Sequence, residues 1–185
     1  MYQIDFHKPL HIHFIGIGGS GMSPLAEILH AKGYALSGTD QNESDNLNRI
    51  RALGIPVSMQ FSADNLEGVD MVVYTVAIPT DNPELVAATA RGIPLIERAK
   101  LLGWISRQFR NTVAVAGTHG KTTTTSMLTH IFMQAQRDPT IMIGGFLPLL
   151  GAGHRVGKGD TIILESCEYC NSFLNFFPTV AVILD

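Results

Sequence analysis

A glycine-rich loop wedged between a short apolar run and an amphipathic stretch occurs twice in this chain, and it constrains the fold more than any other feature. Gly16-Ile17-Gly18-Gly19-Ser20-Gly21 follows the apolar residues 10–15, and Gly117-Thr118-His119-Gly120-Lys121-Thr122-Thr123 follows those at 112–116. Parallel strands cannot be joined by a tight turn. They need a crossover, usually a helix, and a strand that bends through glycines into a helix is how such a unit begins.

The remaining pattern agrees. Apolar runs at 10–15, 34–39, 71–78 and 94–96 predict strands. Between them, amphipathic stretches predict helices that end at Gly33, Gly54 and Gly92, each placed as the residue after a helix, with a short helix at 101–107. After a polar connection at 108–111 the unit restarts, with predicted strands at 112–116, 140–143, 161–164 and 180–184 and a helix at 121–136. On that helix Met127, Leu128, Ile131 and Phe132 read as a core-facing stripe. The expected fold is α/β: a Rossmann-like parallel-sheet domain over 1–109, then the start of a P-loop ATPase-type α/β domain over 110–185. The last residues read as an apolar parallel strand, which is normally buried on both faces. The second domain is therefore expected to continue beyond Asp185.

Composition matters mainly for what it removes. With 45% hydrophobic residues, 16% charged and a net charge of −3, the chain can build a core but has no broad basic field for nucleic acid. No window reaches the ~18 apolar residues of a membrane span, and His11, His13 and the glycines break up the only N-terminal apolar stretch, so no signal peptide is expected there. A cytoplasmic location is expected. The cysteines, Cys167 and Cys170, form a lone C-x-x-C. Zinc needs about four ligands and no second pair exists, and a redox pair would sit early, after a strand, so neither chemistry is expected there.

The first loop matches G-x-G-x-x-G in the right context. Its glycines allow a tight turn and close approach of backbone to a diphosphate, whose charge meets the N–H groups at the start of the helix. Asp40, at the end of the second strand, is placed to accept from a ribose or to serve as a turn residue beside Gln41-Asn42. The loop alone fits an NAD-dependent dehydrogenase, another nucleotide diphosphate, or a packing turn.

The second loop is the tighter G-x-x-G-K-T, with Val115 where the longer phosphate-loop motif has its first glycine. Gly117 and Gly120 allow the bend that turns N–H groups inward as an anion nest. Lys121 would sit on the β- and γ-phosphates of ATP, and the Thr122 hydroxyl can ligate Mg²⁺. Four successive threonines, Thr122 to Thr125, are poor helix formers, tolerable where hydroxyls act in the first turn. His119 either faces the reacting groups, as a catalytic residue beside Lys121, or fills the loop. Glu165 and Glu168 follow a strand of the same domain, where a nucleotide-bound Mg²⁺ would find a carboxylate.

Together these residues resemble the Mur ligases: Gly16-Ile17-Gly18-Gly19-Ser20-Gly21-Met22, Ser37-Gly38-Thr39-Asp40, Val76-Ala77-Ile78 with Asn82-Pro83-Glu84, the loop from Ala116 to Thr125, and Glu165-x-x-Glu168 with Ser172-Phe173-Leu174. The match runs through essentially the whole chain. It is most similar to the branch acting on UDP-N-acetylmuramate and L-alanine; a branch that recycles murein tripeptide usually has bulkier residues at the positions of Gly19 and Gly21. The resemblance implies three domains, of which this chain carries the first and part of the second. It implies that Gly16, Gly18, Gly19, Ser20, Gly21, Met22, Asp40, Ala77 and Ile78 hold the UDP-sugar rather than NAD. It further implies that Gly117, Thr118, His119, Gly120, Lys121, Thr122 and Thr123 hold ATP, that Thr122 and Glu165 ligate Mg²⁺, and that Glu168 is a second acidic position. The implied reaction is amide formation through an acyl phosphate, with this stretch binding nucleotide but inactive alone. The alternatives are a dehydrogenase, which leaves the second loop unexplained, and a non-catalytic UDP-sugar-binding module. Related enzymes commonly carry Asp where Cys167 and Cys170 stand.

Overall fold

The computed structural model describes residues 10–166 and 173–185; Cys167, Glu168, Cys170 and Ser172 lie outside the described residues. The chain divides into two compact units, Met1–Arg98 and Ala99–Asp185, each built on its own five-stranded sheet.

The first unit runs β1 (His11–Ile15), α1 (Ser23–Ala31), β2 (Ala35–Thr39), α2 (Asp45–Ala52), β3 (Val57–Ser58), a 3₁₀ turn (Ala63–Leu66), β4 (Met71–Tyr74), α3 (Pro83–Ala90) and β5 (Leu95–Glu97). Its strands are all parallel, in the order β3-β2-β1-β4-β5. α1 buries Leu25, Ile28 and Leu29 and ends at Gly33, whose φ of +86° favours glycine. Ser44 caps α2 by accepting from Leu47 N, and Asn82 caps α3 by accepting from Glu84 N and Leu85 N, with Pro83 in the first turn. The expected strand over 71–78 stops at Tyr74. The Thr75 hydroxyl accepts from Ala77 N at 3.0 Å and Thr75 O from Ile78 N at 3.0 Å, so a side chain competing for backbone donors turns this apolar run into a loop. The short edge strand β3 was too brief to show a period.

The second unit contains α4 (Arg98–Ser106, whose first residue closes the first unit), β6 (Asn111–Gly117), α5 (Lys121–Gln134), β7 (Thr140–Leu147), β8 (Ala152–Arg155), β9 (Thr161–Glu165) and β10 (Val180–Leu184). The sheet order is β10-β6-β9-β7-β8, parallel except for the antiparallel β7–β8 pair. β7 runs on through Gly144-Gly145 and folds back as β8, which the sequence pattern did not reveal.

The units divide ahead of the 109/110 boundary expected from the polar connection. α4 buries Leu101, Leu102 and Ile105, Thr112 Oγ1 donates to Ser106 O at 2.8 Å, and a Cβ on Gly103 would collide with Asn175 O, so α4 packs with the strands that follow it. The Met127/Ile131 face of α5 does not enter the core as its apolar spacing predicts. Those side chains are 55% and 60% exposed, while Thr125 and Thr129 are fully buried where α5 packs on β6, β7 and β9. Thr129 Oγ1 donates to Thr125 O at 2.8 Å, which removes the cost of burying its hydroxyl.

Candidate functional site

In the first unit the chain leaves β1 for β2 and β3 on one side, then returns to β4 on the other. The loops after β1 and β4 therefore diverge, opening the kind of crevice at strand carboxyl ends where α/β sheets hold ligands. Both predicted binding segments lie on those loops. Gly16 has a φ of +79°, and a Cβ there would lie 3.7 Å from Ile78 Cδ1, so the glycine loop and the segment carrying Ala77 and Ile78 meet. Ala77 is exposed and Ile78 half-buried. Gly18 is buried; a Cβ on it would sit 2.9 Å from Asp40 Oδ2 and 3.2 Å from Leu47 Cβ. Asp40 accepts from Gly18 N at 2.8 Å and from Asn42 N at 3.0 Å, so its carboxylate braces the loop from the end of β2. Gly19 and Ser20 are exposed and Gly21 half-buried. Met22 is the N-cap residue of α1 and only 2% exposed, so its side chain packs in the core and its backbone holds the turn, with Met22 N donating to Gly19 O at 2.9 Å.

Behind this crevice runs a polar chain that motif reading missed. His11 Nε2 and His13 Nδ1 both contact Ser37 Oγ, at 2.8 and 2.9 Å, and His13 Nε2 contacts Thr39 Oγ1 at 3.0 Å. Thr39 Oγ1 donates to Glu84 Oε1 at 2.6 Å, Asn65 Nδ2 donates to the same oxygen at 2.7 Å, and His13 Nε2 lies 3.5 Å from Glu84 Oε2. Glu84 is fully buried. Burial alone would raise its pKa, but the hydrogen bonds from His13, Thr39 and Asn65 outweigh that and hold the carboxyl below the usual carboxylate range. Thr39 adjoins Asp40, and Glu84 lies in the first turn of α3, directly after the 75–82 loop. The carboxylate thus ties the end of β2 to the start of α3, the helix that follows the 75–82 loop. Asn82-Pro83-Glu84 was visible in sequence as a helix start; its partners, far away in sequence, were not.

In the second unit, β6 feeds the other loop. Gly117 has a φ of +140°, and a Cβ there would lie 2.5 Å from Leu184 O; Gly120, the N-cap of α5, has a φ of +76°. Both positions require glycine. Lys121 Nζ donates to Gly117 O at 2.5 Å and Thr118 O at 3.4 Å, holding the ammonium over the loop at the positive end of α5. Thr118, His119, Thr122 and Thr123 are exposed. Glu165 closes β9, paired in register with Val115 of β6 just before the loop, and Ser166 N donates to Val115 O at 2.8 Å. The expected second acid, Glu168, lies outside the described residues.

The family described as "Mur ligase family, catalytic domain" matches residues 11–110, more than half of the chain. The chain belongs to the Mur ligase family. It is 55% identical, over its whole length, to the UDP-N-acetylmuramate–L-alanine ligase of Agathobacter rectalis, of which it covers 40%. Among solved structures it is similar to the UDP-N-acetylmuramate–alanine ligase of Thermotoga maritima, at 33% identity and a TM-score of 0.82, covering 94% of this chain and 41% of that one. It is also similar to the UDP-N-acetylmuramate:L-alanyl-γ-D-glutamyl-meso-diaminopimelate ligase of Neisseria meningitides, at 29% identity and a TM-score of 0.85, covering 95% and 60%. The chain spans about 40% of the length of the curated relatives it matches.

The donor set of this Mur ligase chain fits a nucleotide-bound Mg²⁺ better than a structural metal. Among the described residues no three His, Cys, Asp or Glu gather into a cage. Mg²⁺ on a nucleotide needs only one or two protein oxygens, the rest coming from phosphates and water. Among the described residues Glu165 Oε1 is buried without a hydrogen-bond partner, which is costly for a carboxylate oxygen unless a cation meets it. A Cβ on Gly144 would lie 2.7 Å from Glu165 Oε2 and one on Gly145 3.3 Å from Thr122 Cγ2, so the glycine pair of β7 borders both candidate ligands. No helix among the described residues is long and apolar enough to cross a membrane.

Proposed function

We propose that this chain carries the UDP-N-acetylmuramate site and the ATP-phosphate site of an ATP-dependent ligase that forms an amide with L-alanine. The observation that carries the reading is the second site: Lys121 over a glycine loop, with Thr122 in the first turn of α5 and, at the end of β9, a Glu165 oxygen without a hydrogen-bond partner among the described residues. A dehydrogenase has no use for that arrangement.

In the reaction, a lactyl carboxylate oxygen attacks the γ-phosphorus of ATP, ADP leaves, and an acyl phosphate forms. The alanine amine then attacks the carbonyl carbon, the tetrahedral adduct expels phosphate, and the amine gives up a proton. Two anions must approach each other in the first step. Lys121 and the α5 N-terminus set positive charge where negative charge accumulates on the transferring group. Mg²⁺, when bound, neutralises phosphate charge, and Thr122 and Glu165 are the residues that would hold it. His119, exposed on the loop, is positioned beside the same phosphates. Gly16, Gly18, Gly19, Ser20 and Gly21 cradle the UDP diphosphate, Asp40 the nucleoside end, and Ala77 and Ile78 the opposite wall. On this reading the 185 residues bind both nucleotides but do not close the amide.

Calorimetric titration with UDP-N-acetylmuramate, ATP–Mg²⁺ and NADH tests this. Binding of the first two is expected; tight binding of NADH alone would overturn the ligase reading in favour of a dehydrogenase.

A further inference from the structure

The glycine loop of the first unit spends most of its donors on the end of β2 and on its own carbonyls. Gly16 N and Ile17 N both go to Thr39 O, at 2.6 and 3.1 Å, and Gly18 N goes to Asp40 Oδ2 at 2.8 Å. Gly19 N goes to Gly16 O at 3.1 Å, and Met22 N and Ser23 N go to Gly19 O at 2.9 Å each. Pro24 has no N–H. Among the described residues, the N–H groups of Ser20 and Gly21 are the loop donors left without a partner. Two amides and a helix dipole worth about half a charge are a weak match for a diphosphate, and the Asp40 carboxylate beside the loop makes the deficit worse. Neither the loop nor α1 contains a Lys or Arg.

The missing cation comes from the carboxyl end of β5. Arg98 lies against the α-carbon of Gly21: a Cβ there would be 2.9 Å from its Nη1, 3.2 Å from its Cδ and 3.3 Å from its Cζ. The side chain is half-buried, and among the described residues no carboxylate, carbonyl or ring engages its guanidinium. A partly desolvated guanidinium with no acceptor, beside two unused amides, is suited to a planar oxyanion. Glycine at 21 is what admits it, since any side chain would push the guanidinium off the loop.

We propose that Arg98 is the diphosphate-binding cation of the nucleotide-sugar site, forming with Ser20 N and Gly21 N the group that grips the phosphates. This rests on the proposed UDP-sugar reading of that loop. The test measures UDP and uridine binding to the chain by calorimetry or displacement, for wild type, Arg98→Ala, Arg98→Gln, Arg98→Lys, Gly21→Ala and the Arg98→Ala/Gly21→Ala double variant, with thermal melts alongside. Arg98→Ala and Arg98→Gln are expected to weaken UDP about 10- to 100-fold and uridine less than twofold, with Arg98→Lys between them and wild type. Gly21→Ala is expected to weaken UDP in the wild-type background and to add little once Arg98 is gone. UDP affinity within twofold of wild type in folded Arg98→Ala or Arg98→Gln overturns the proposal alone, and so does an equal loss for UDP and uridine. A wild-type chain that does not bind UDP overturns it together with the UDP-sugar reading.

Discussion

Replacing Glu84 by alanine is the sharpest single perturbation of the first unit, because the partners of that carboxylate are spread over β1, β2 and the 3₁₀ turn. Thr39 on β2 and Asn65 in the 3₁₀ turn donate to Oε1 at 2.6 and 2.7 Å, and His13 on β1 lies 3.5 Å from Oε2. Glu84 and Thr39 are fully buried and His13 is 1% exposed, so water cannot easily replace what is lost. Two donors left unpaired cost about 1–3 kcal/mol each, so about 2–6 kcal/mol together. Hydrogen exchange read by mass spectrometry should then show β1, β2 and α3 peptides exchanging at least about 30 times faster at pH 7. Protection within fivefold of wild type would mean that the chain of polar contacts is solvated in solution, and the argument from burial would fail. Glu84→Gln separates charge from shape. The folded carboxyl titrates below its ordinary range, so its contribution is present above the unfolded value of about 4.3 and is lost as pH falls through the folded value. The stability gap between wild type and Glu84→Gln should accordingly narrow below about pH 4 in a series of thermal melts. A gap that stays constant from pH 3 to 7 would sink that account.

Gly18→Ala places a methyl 2.9 Å from Asp40 Oδ2 and 3.2 Å from Leu47 Cβ and Ser44 Oγ; a cost of about 1–3 kcal/mol is expected from overpacking, together with weaker UDP binding because Asp40 is displaced. A variant that melts and binds like wild type would show that the loop relaxes freely. In the second unit, Glu165→Gln should abolish the Mg²⁺ enhancement of ATP binding while leaving Mg²⁺-free binding intact. Lys121→Ala should lower both by at least about tenfold. Equal Mg²⁺ dependence in wild type and Glu165→Gln, measured calorimetrically with and without EDTA, would remove Glu165 as a ligand.

Local chemistry explains why so much of the fold was legible. Gly33, Gly54 and Gly92 end helices through positive φ, Pro83 opens one, and β1, β2, β6, β9 and β10 announce themselves as short apolar runs. Each of these signals is read within a few residues of where it acts. The misreadings arose where tertiary packing, or a side chain competing for nearby backbone donors, outweighed the apolar pattern. Met127 and Ile131 form a good apolar stripe, yet α5 turns its threonines to the sheet. Residues 75–78 continue an apolar run, yet Thr75 ends the strand.

The sites divide in the same way. The two glycine loops, Lys121, Thr122, Asp40 and Glu165 were named from sequence, because a phosphate-binding turn needs particular residues in a row and the strand before it locates the turn. What tertiary structure alone decided is what surrounds those loops. Glu165 comes beside the second loop only because β9 pairs with β6. Arg98 reaches Gly21, and Glu84 reaches His13 and Thr39, only because β4 and β5 lie on the far side of β1 from β2. A charge or hydrogen bond depends on distance through space, and over separations of dozens of residues that distance is set by strand order, which no local pattern encodes.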